Sequence, residues 1–161
     1  MKDEQILSTA KSLAEDFLTQ LGLDAEVKVS FGDDDNGRNV TYVNIQFLGD
    51  NLNELIGHHG KNLESIQVIL GLMLSKELQV EDDIRILLEV NDYKESRERY
   101  LKSYALRAAD QVKESGQEME LPPMKPSERR VVHMCLKQEE GIVTESVGEG
   151  EDRRIIIKKA A

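Results

Sequence analysis

The stretch Leu55-Ile56-Gly57-His58-His59-Gly60-Lys61-Asn62-Leu63 constrains this chain more than any other. Two glycines bracket two residues, and apolar residues at helical spacing stand on both sides. Leu52, Leu55 and Ile56 precede the turn; Leu63, Ile66, Leu70 and Met73 follow it. The pattern predicts a helix that stops, a four-residue turn and a second helix. Glycine reaches backbone angles closed to other residues and holds no side chain between backbone and ligand. The second helix opens with N–H groups that lack partners within the helix and with the positive end of its dipole, which suits a phosphate. A bare G-x-x-G is usually only a pinned turn, so its context decides.

That context is regular. Residues 4–22 read as an amphipathic helix with Ile6, Leu7, Ala10, Leu13, Ala14, Phe17 and Leu21 on one side and Gly22 as its stop. Residues 25–31 alternate as a half-buried strand, Asn36-Gly37 signals a tight turn, and Val40 to Leu48 reads as the returning strand. After the two helices, residues 79–83 form an acidic loop. Ile84 to Val90 is a nearly continuous apolar run, expected in the middle of a sheet. The order α-β-β-α-α-β, with the loop in this place, resembles the type II KH fold. KH domains clamp a nucleic-acid backbone with such a loop. The resemblance implies contacts from Ile56, Gly57, His58, His59, Gly60 and Lys61. KH loops often carry Lys or Arg between the glycines, whereas here both positions are histidine.

The second half opens with a helix over about 93–114, its buried side marked by Tyr100, Leu101, Tyr104, Ala105, Ala108 and Val112. A short strand is expected at 119–121. Pro126 then starts a helix to about Lys137, at a position where the missing N–H does no harm. Lys125 stands where Asn, Ser or Asp would be the preferred cap. Two strands follow, over 142–147 and 153–158. Arg129 and His133 are four residues apart and share a helix face. Arginine offers a planar fork for phosphate, and histidine can stack, donate a hydrogen bond or gain charge. The bland reading of this pair is a solvated face salt-bridged to Glu128. Leu121-Pro122-Pro123-Met124-Lys125-Pro126-Ser127-Glu128-Arg129-Arg130-Val131-Val132-His133 is similar to the Arg-x-x-x-His domain, a small module that binds single-stranded nucleic acid. That likeness implies contacts from Arg129, Arg130 and His133.

A KH domain followed by an Arg-x-x-x-His domain resembles the bacterial Jag family, the SpoIIIJ-associated RNA-binding proteins also called KhpB. The likeness implies an α+β chain with a type II KH domain over 1–91 and an Arg-x-x-x-His domain over 92–161. It further implies single-stranded RNA or DNA as ligand and a role in post-transcriptional regulation, with links to cell elongation, the envelope or sporulation. A second small KH-domain protein is a further implied partner. Many members carry a separate amino-terminal Jag domain and linker. Neither is seen here, which implies a short member or a truncated chain.

Charge sharpens the expectation. The net charge is −10, and residues 1–90 account for it with 7 Lys/Arg against 17 Asp/Glu, while residues 91–161 hold 14 of each. An acidic chain repels a polyanion at long range, yet a local basic site still operates. Binding should therefore be modest and strongly salt-sensitive. Arg153, Arg154, Lys158 and Lys159 read equally well as an extension of the basic surface and as solvated strand ends. The single cysteine, Cys135, rules out a disulfide framework and is expected to be a buried small side chain. Asp33-Asp34-Asp35-Asn36-Gly37 fails the calcium-loop pattern, because Gly32 and Val43 occupy the first and twelfth ligand positions. His58 and His59 have no third ligand nearby for a metal. No cofactor motif, nucleophile elbow or phosphate-loop signature is present, so a non-enzyme is expected. No signal peptide and no apolar run near ~20 residues point to a cytoplasmic chain without a membrane span. The alternative reading is an adaptor that pairs with another KH protein and touches RNA weakly.

Overall fold

A computed structural model describes residues 2–33, 37–80 and 83–161. The expected turn residue Asn36 and the acidic loop's Glu81 and Asp82 lie outside the described residues. The chain divides into two compact units, Met1–Lys94 and Glu95–Ala161, each a mixture of helix and sheet.

The first unit contains helix α1 (Lys2–Gln20), strands β1 (Glu26–Phe31) and β2 (Val40–Leu48), helices α2 (Asn53–Ile56) and α3 (Lys61–Leu78), and strand β3 (Asp83–Val90). β1 and β2 pair antiparallel, with Val29 opposite Ile45. β2 and β3 pair parallel, with Ile45 opposite Leu88. Helix α1 buries Ile6, Ala10, Ala14 and Leu18 at four-residue spacing, and two of these are alanines, so the helix packs close. Leu21, expected on that face, is 52% exposed, because it lies one residue past the helix. Helix α3 buries Leu63, Ile66, Leu70 and Leu74; Leu74 takes the place expected of Met73. Each fully buried leucine here contributes ~1.5–3 kcal/mol.

β3 is an outer strand, and β2 holds the centre of the sheet. The apolar run misled because its burial has period two. Ile84, Ile86, Leu88 and Val90 are buried, while Arg85 is exposed and Leu87 is 41% exposed. A sheet covered on one face imposes that alternation. On the outer edge of β3, the Leu88 N–H donates to Gln67 Oε1 of α3 at 2.9 Å.

The second unit contains α4 (Tyr93–Ser115), β4 (Met119–Glu120), α5 (Pro126–Leu136), β5 (Ile142–Val147) and β6 (Arg154–Lys159). Its antiparallel sheet has the order β4-β6-β5. The core joins Leu101, Ala105, Ala109 and Val112 of α4 to Val132 and Leu136 of α5 and to Ile155 and Ile157 of β6. Tyr104 packs at its border, but Tyr100 does not: it is 52% exposed, stacked on Tyr104 with the Arg97 guanidinium 5.4 Å from its ring centre.

Candidate nucleic-acid interface

The loop between α2 and α3 is built by backbone that only certain residues adopt. Gly57 has φ 69° and ψ −172°, His59 has φ 53°, and Gly60 has φ 77°. A Cβ at Gly57 would stand 2.5 Å from Asn62 Cγ, so the glycine is required twice over. Asn62 Nδ2 donates to the Glu54 carbonyl at 2.8 Å and thereby straps α3 back onto α2. The Gly57 N–H donates to the Asn53 carbonyl at 3.1 Å, and the Gly60 N–H to that of Gly57 at 3.4 Å. Both donors serve the loop itself, which leaves the opening turn of α3 and the loop side chains to face a ligand. His58 and His59 stack with ring centres 3.8 Å apart. His58 and Lys61 are exposed, Ile56 is half-buried and Gly60 is buried.

In the second unit, Arg129 and His133 stand one turn apart on α5, both half-buried. Arg129 Nη1 donates to the Met124 carbonyl at 2.8 Å, which orients the guanidinium and occupies one of its five donors. His133 Nδ1 lies 2.7 Å from Thr144 Oγ1 on β5. Burial, and then the neighbouring Arg129 charge, push the His133 pKa below its ordinary value. Arg130 is exposed but turns away from this pair, into a groove between α4 and α5 lined by Glu98, Lys102, Ser127 and Cys135.

Glu128 does not pair with Arg129. It is 8% exposed and accepts from Arg97 Nε at 2.9 Å and from the Lys125 N–H at 3.4 Å. The carboxylate three residues after Lys125 thus caps the first turn of α5, where lysine's side chain offers no acceptor. Pro126 with Glu128 was the legible signal for this; Thr144 had none in the sequence.

The terminal basic residues are largely spoken for. Arg154 holds Glu120 through Nε at 3.0 Å and Nη2 at 3.2 Å, and Lys158 Nζ donates to Glu145 at 2.9 Å. These cations keep the Glu120 and Glu145 carboxyls below their usual pKa. Arg153 Nη1 donates to the Gly148 carbonyl. Cys135 is half-buried rather than buried, and burial raises its thiol pKa, which disfavours the nucleophilic thiolate. Among the described residues, no group of three or more His, Cys, Asp or Glu is placed to hold a metal, and no helix is long and apolar enough to cross a membrane.

Residues 99–159 match the Arg-x-x-x-His domain family, so this is a mixed α+β chain carrying an Arg-x-x-x-His domain in its second unit. The chain is 36% identical over 115 residues to the RNA-binding protein KhpB of Clostridium symbiosum, across 71% of this chain and 51% of that protein. It is 28% identical over 134 residues to the RNA-binding protein KhpB of Streptococcus pneumoniae serotype 2 (strain D39 / NCTC 7466), across 83% of this chain and 39% of that protein. Against the RNA-binding protein KhpB of Bacillus subtilis (strain 168) it is 29% identical over 117 residues, across 71% of this chain and 55% of that protein. The chain therefore spans about half, or less, of the length of the curated relatives it matches.

Proposed function

We propose that this chain is a non-enzymatic, KhpB-like RNA-binding protein of the Jag family with two contact surfaces. Residues 1–91 form a type II KH domain and residues 92–161 the Arg-x-x-x-His domain. The element order α-β-β-α-α-β, the one antiparallel and one parallel strand pairing, and the loop between α2 and α3 all support the first assignment. The observation that carries the function is the loop itself. Three residues with positive φ deliver the chain to the start of α3 with His58 and Lys61 exposed beside it. Such a turn meets a phosphate with the helix end and with positive side chains.

Ile56, Gly57, His58, His59, Gly60 and Lys61 contact the strand in the first unit. Arg129 and His133, with Arg130 at the border, contact it in the second. Linking two weak sites raises affinity through effective concentration. The ligand is single-stranded RNA, and the cellular role is post-transcriptional control in the cytoplasm linked to cell elongation, the envelope or sporulation. The test is RNA affinity of the folded His58→Asp, His59→Asp double variant. Loss of most binding is expected; unchanged affinity removes the loop from the mechanism.

A second reading has its own support. The outer side of α3 exposes Val68 (60%), Ile69 (47%), Leu72 (68%) and Met73 (38%). A contiguous apolar patch of this kind marks a protein contact. It fits an adaptor that pairs with a second small KH-domain protein. Leu72→Asp should abolish such pairing and spare RNA affinity.

A further inference from the structure

Arg129, His133 and Lys137 recur every four residues along α5. Each step advances ~6 Å along the helix axis. The stripe borders a surface hollow lined by His133, Met134, Leu136, Lys137, Ile142, Val143 and Thr144, a lining that contains no carboxylate. An anionic strand laid along this edge meets a cation, an imidazole and a cation in turn.

The middle rung differs from its neighbours. Neutral imidazole has one N–H and one bare nitrogen, and the hydrogen bond on one nitrogen fixes the state of the other. Here Nδ1 faces the Thr144 hydroxyl, which β5 presents from the same face as the buried Ile142. The separation of 2.7 Å matches an O–H donor better than a ring N–H donor, whose bonds centre near ~2.9–3.0 Å. Thr144 as donor leaves the proton on Nε2. Thr144 as acceptor would leave a bare lone pair on Nε2, which repels phosphate oxygen. The depressed pKa of His133 keeps the ring uncharged near neutrality, so the choice of tautomer decides what it offers.

We propose that Thr144 is a positioning residue whose hydroxyl donates to His133 Nδ1, so that the ring presents Nε2–H as an uncharged donor between the fixed charges of Arg129 and Lys137. This rests on the surface of the Arg-x-x-x-His domain contacting the strand, and it adds Lys137 and Thr144 to that surface. A neutral donor contributes affinity without releasing a counterion. The salt dependence thus counts two charges on α5, and the imidazole contributes independently of salt.

The test uses the full chain and a single-stranded oligoribonucleotide over a salt series at pH 8. Lys137→Ala and Arg129→Ala should each reduce the slope of log K against log salt by ~0.7. His133→Ala and Thr144→Val should each lower affinity several-fold and leave the slope unchanged, and Thr144→Ser should restore it. In the free protein, ring nitrogen NMR shifts of His133 should report the Nε2–H tautomer, with mixing of tautomers in Thr144→Val. A Nδ1–H tautomer in the wild-type chain, or a Thr144→Val ring spectrum identical to wild type, overturns the proposal. So does a shrunken salt slope in His133→Ala. An Arg129→Ala chain with unaltered affinity instead overturns the contact surface of the Arg-x-x-x-His domain, which the tautomer measurement does not depend on.

Discussion

Removing the Glu128 carboxylate should unfold the second unit well before any other single change on α5. Glu128 and Arg97 have side chains only 10% and 18% exposed, joined at 2.9 Å. In Glu128→Leu the Arg97 guanidinium stays half-buried with its partner gone, a loss of ~3–5 kcal/mol for a buried pair. Partial exposure places this case at the lower end, about 3 kcal/mol. The Lys125 N–H also loses its acceptor, which adds ~0.5–1 kcal/mol. For a unit of this size ~3 kcal/mol corresponds to a fall in Tm of ~12–24 °C. The assay is thermal and denaturant unfolding of the wild type, Glu128→Leu, Arg97→Met and the double variant. A stranded charge predicts strong non-additivity: the double variant should lie within ~1 kcal/mol of the wild type. If the double variant loses the sum of the two single losses, Glu128 acts by packing and capping, and the charge argument fails.

Other expectations follow from single contacts. Gly57→Ala should destabilise the first unit by ~1–3 kcal/mol from its φ alone, and adding Asn62→Ala should relieve the part due to the 2.5 Å clash, as melting curves of both variants will record. Arg154→Ala should leave the salt dependence of RNA binding nearly unchanged, in contrast to Arg129→Ala, because Arg154 is already committed to Glu120. The His133 pKa is lower folded than unfolded, where it is ~6.5, so stability should fall as pH drops through that value and towards the folded one; His133→Gln should reduce this loss in melts at pH 7.5 and 5. Ser146 Oγ is buried without a hydrogen-bond partner, so Ser146→Ala should leave stability unchanged or raise it; a loss beyond ~1 kcal/mol would mean the hydroxyl has a partner.

The helix–turn–helix around Gly57 and Gly60 was readable in the chain because both its signals are local. Apolar spacing fixes the helices, and glycine marks positions where other side chains are strained. The start of α5 was readable for the same reason, since Pro126 is preorganised for a first turn. Local sequence also brought Arg129 and His133 onto one face, because helix geometry alone does so. What it left open were relations between segments distant in the chain. The apolar run of β3 does not say which strand will flank it, and only pairing with β2 made it an outer strand with one face wet. Tyr100 and Tyr104 share a spacing, yet the width of the core decides that one packs and the other is exposed. Whether a cation is available depends on its nearest carboxylate: Arg154 meets Glu120 from 34 residues away, whereas Lys137 borders a hollow with no carboxylate in its lining. The state of His133 is likewise a tertiary fact, set by Thr144 on a neighbouring strand and by burial that no spacing in the sequence encodes.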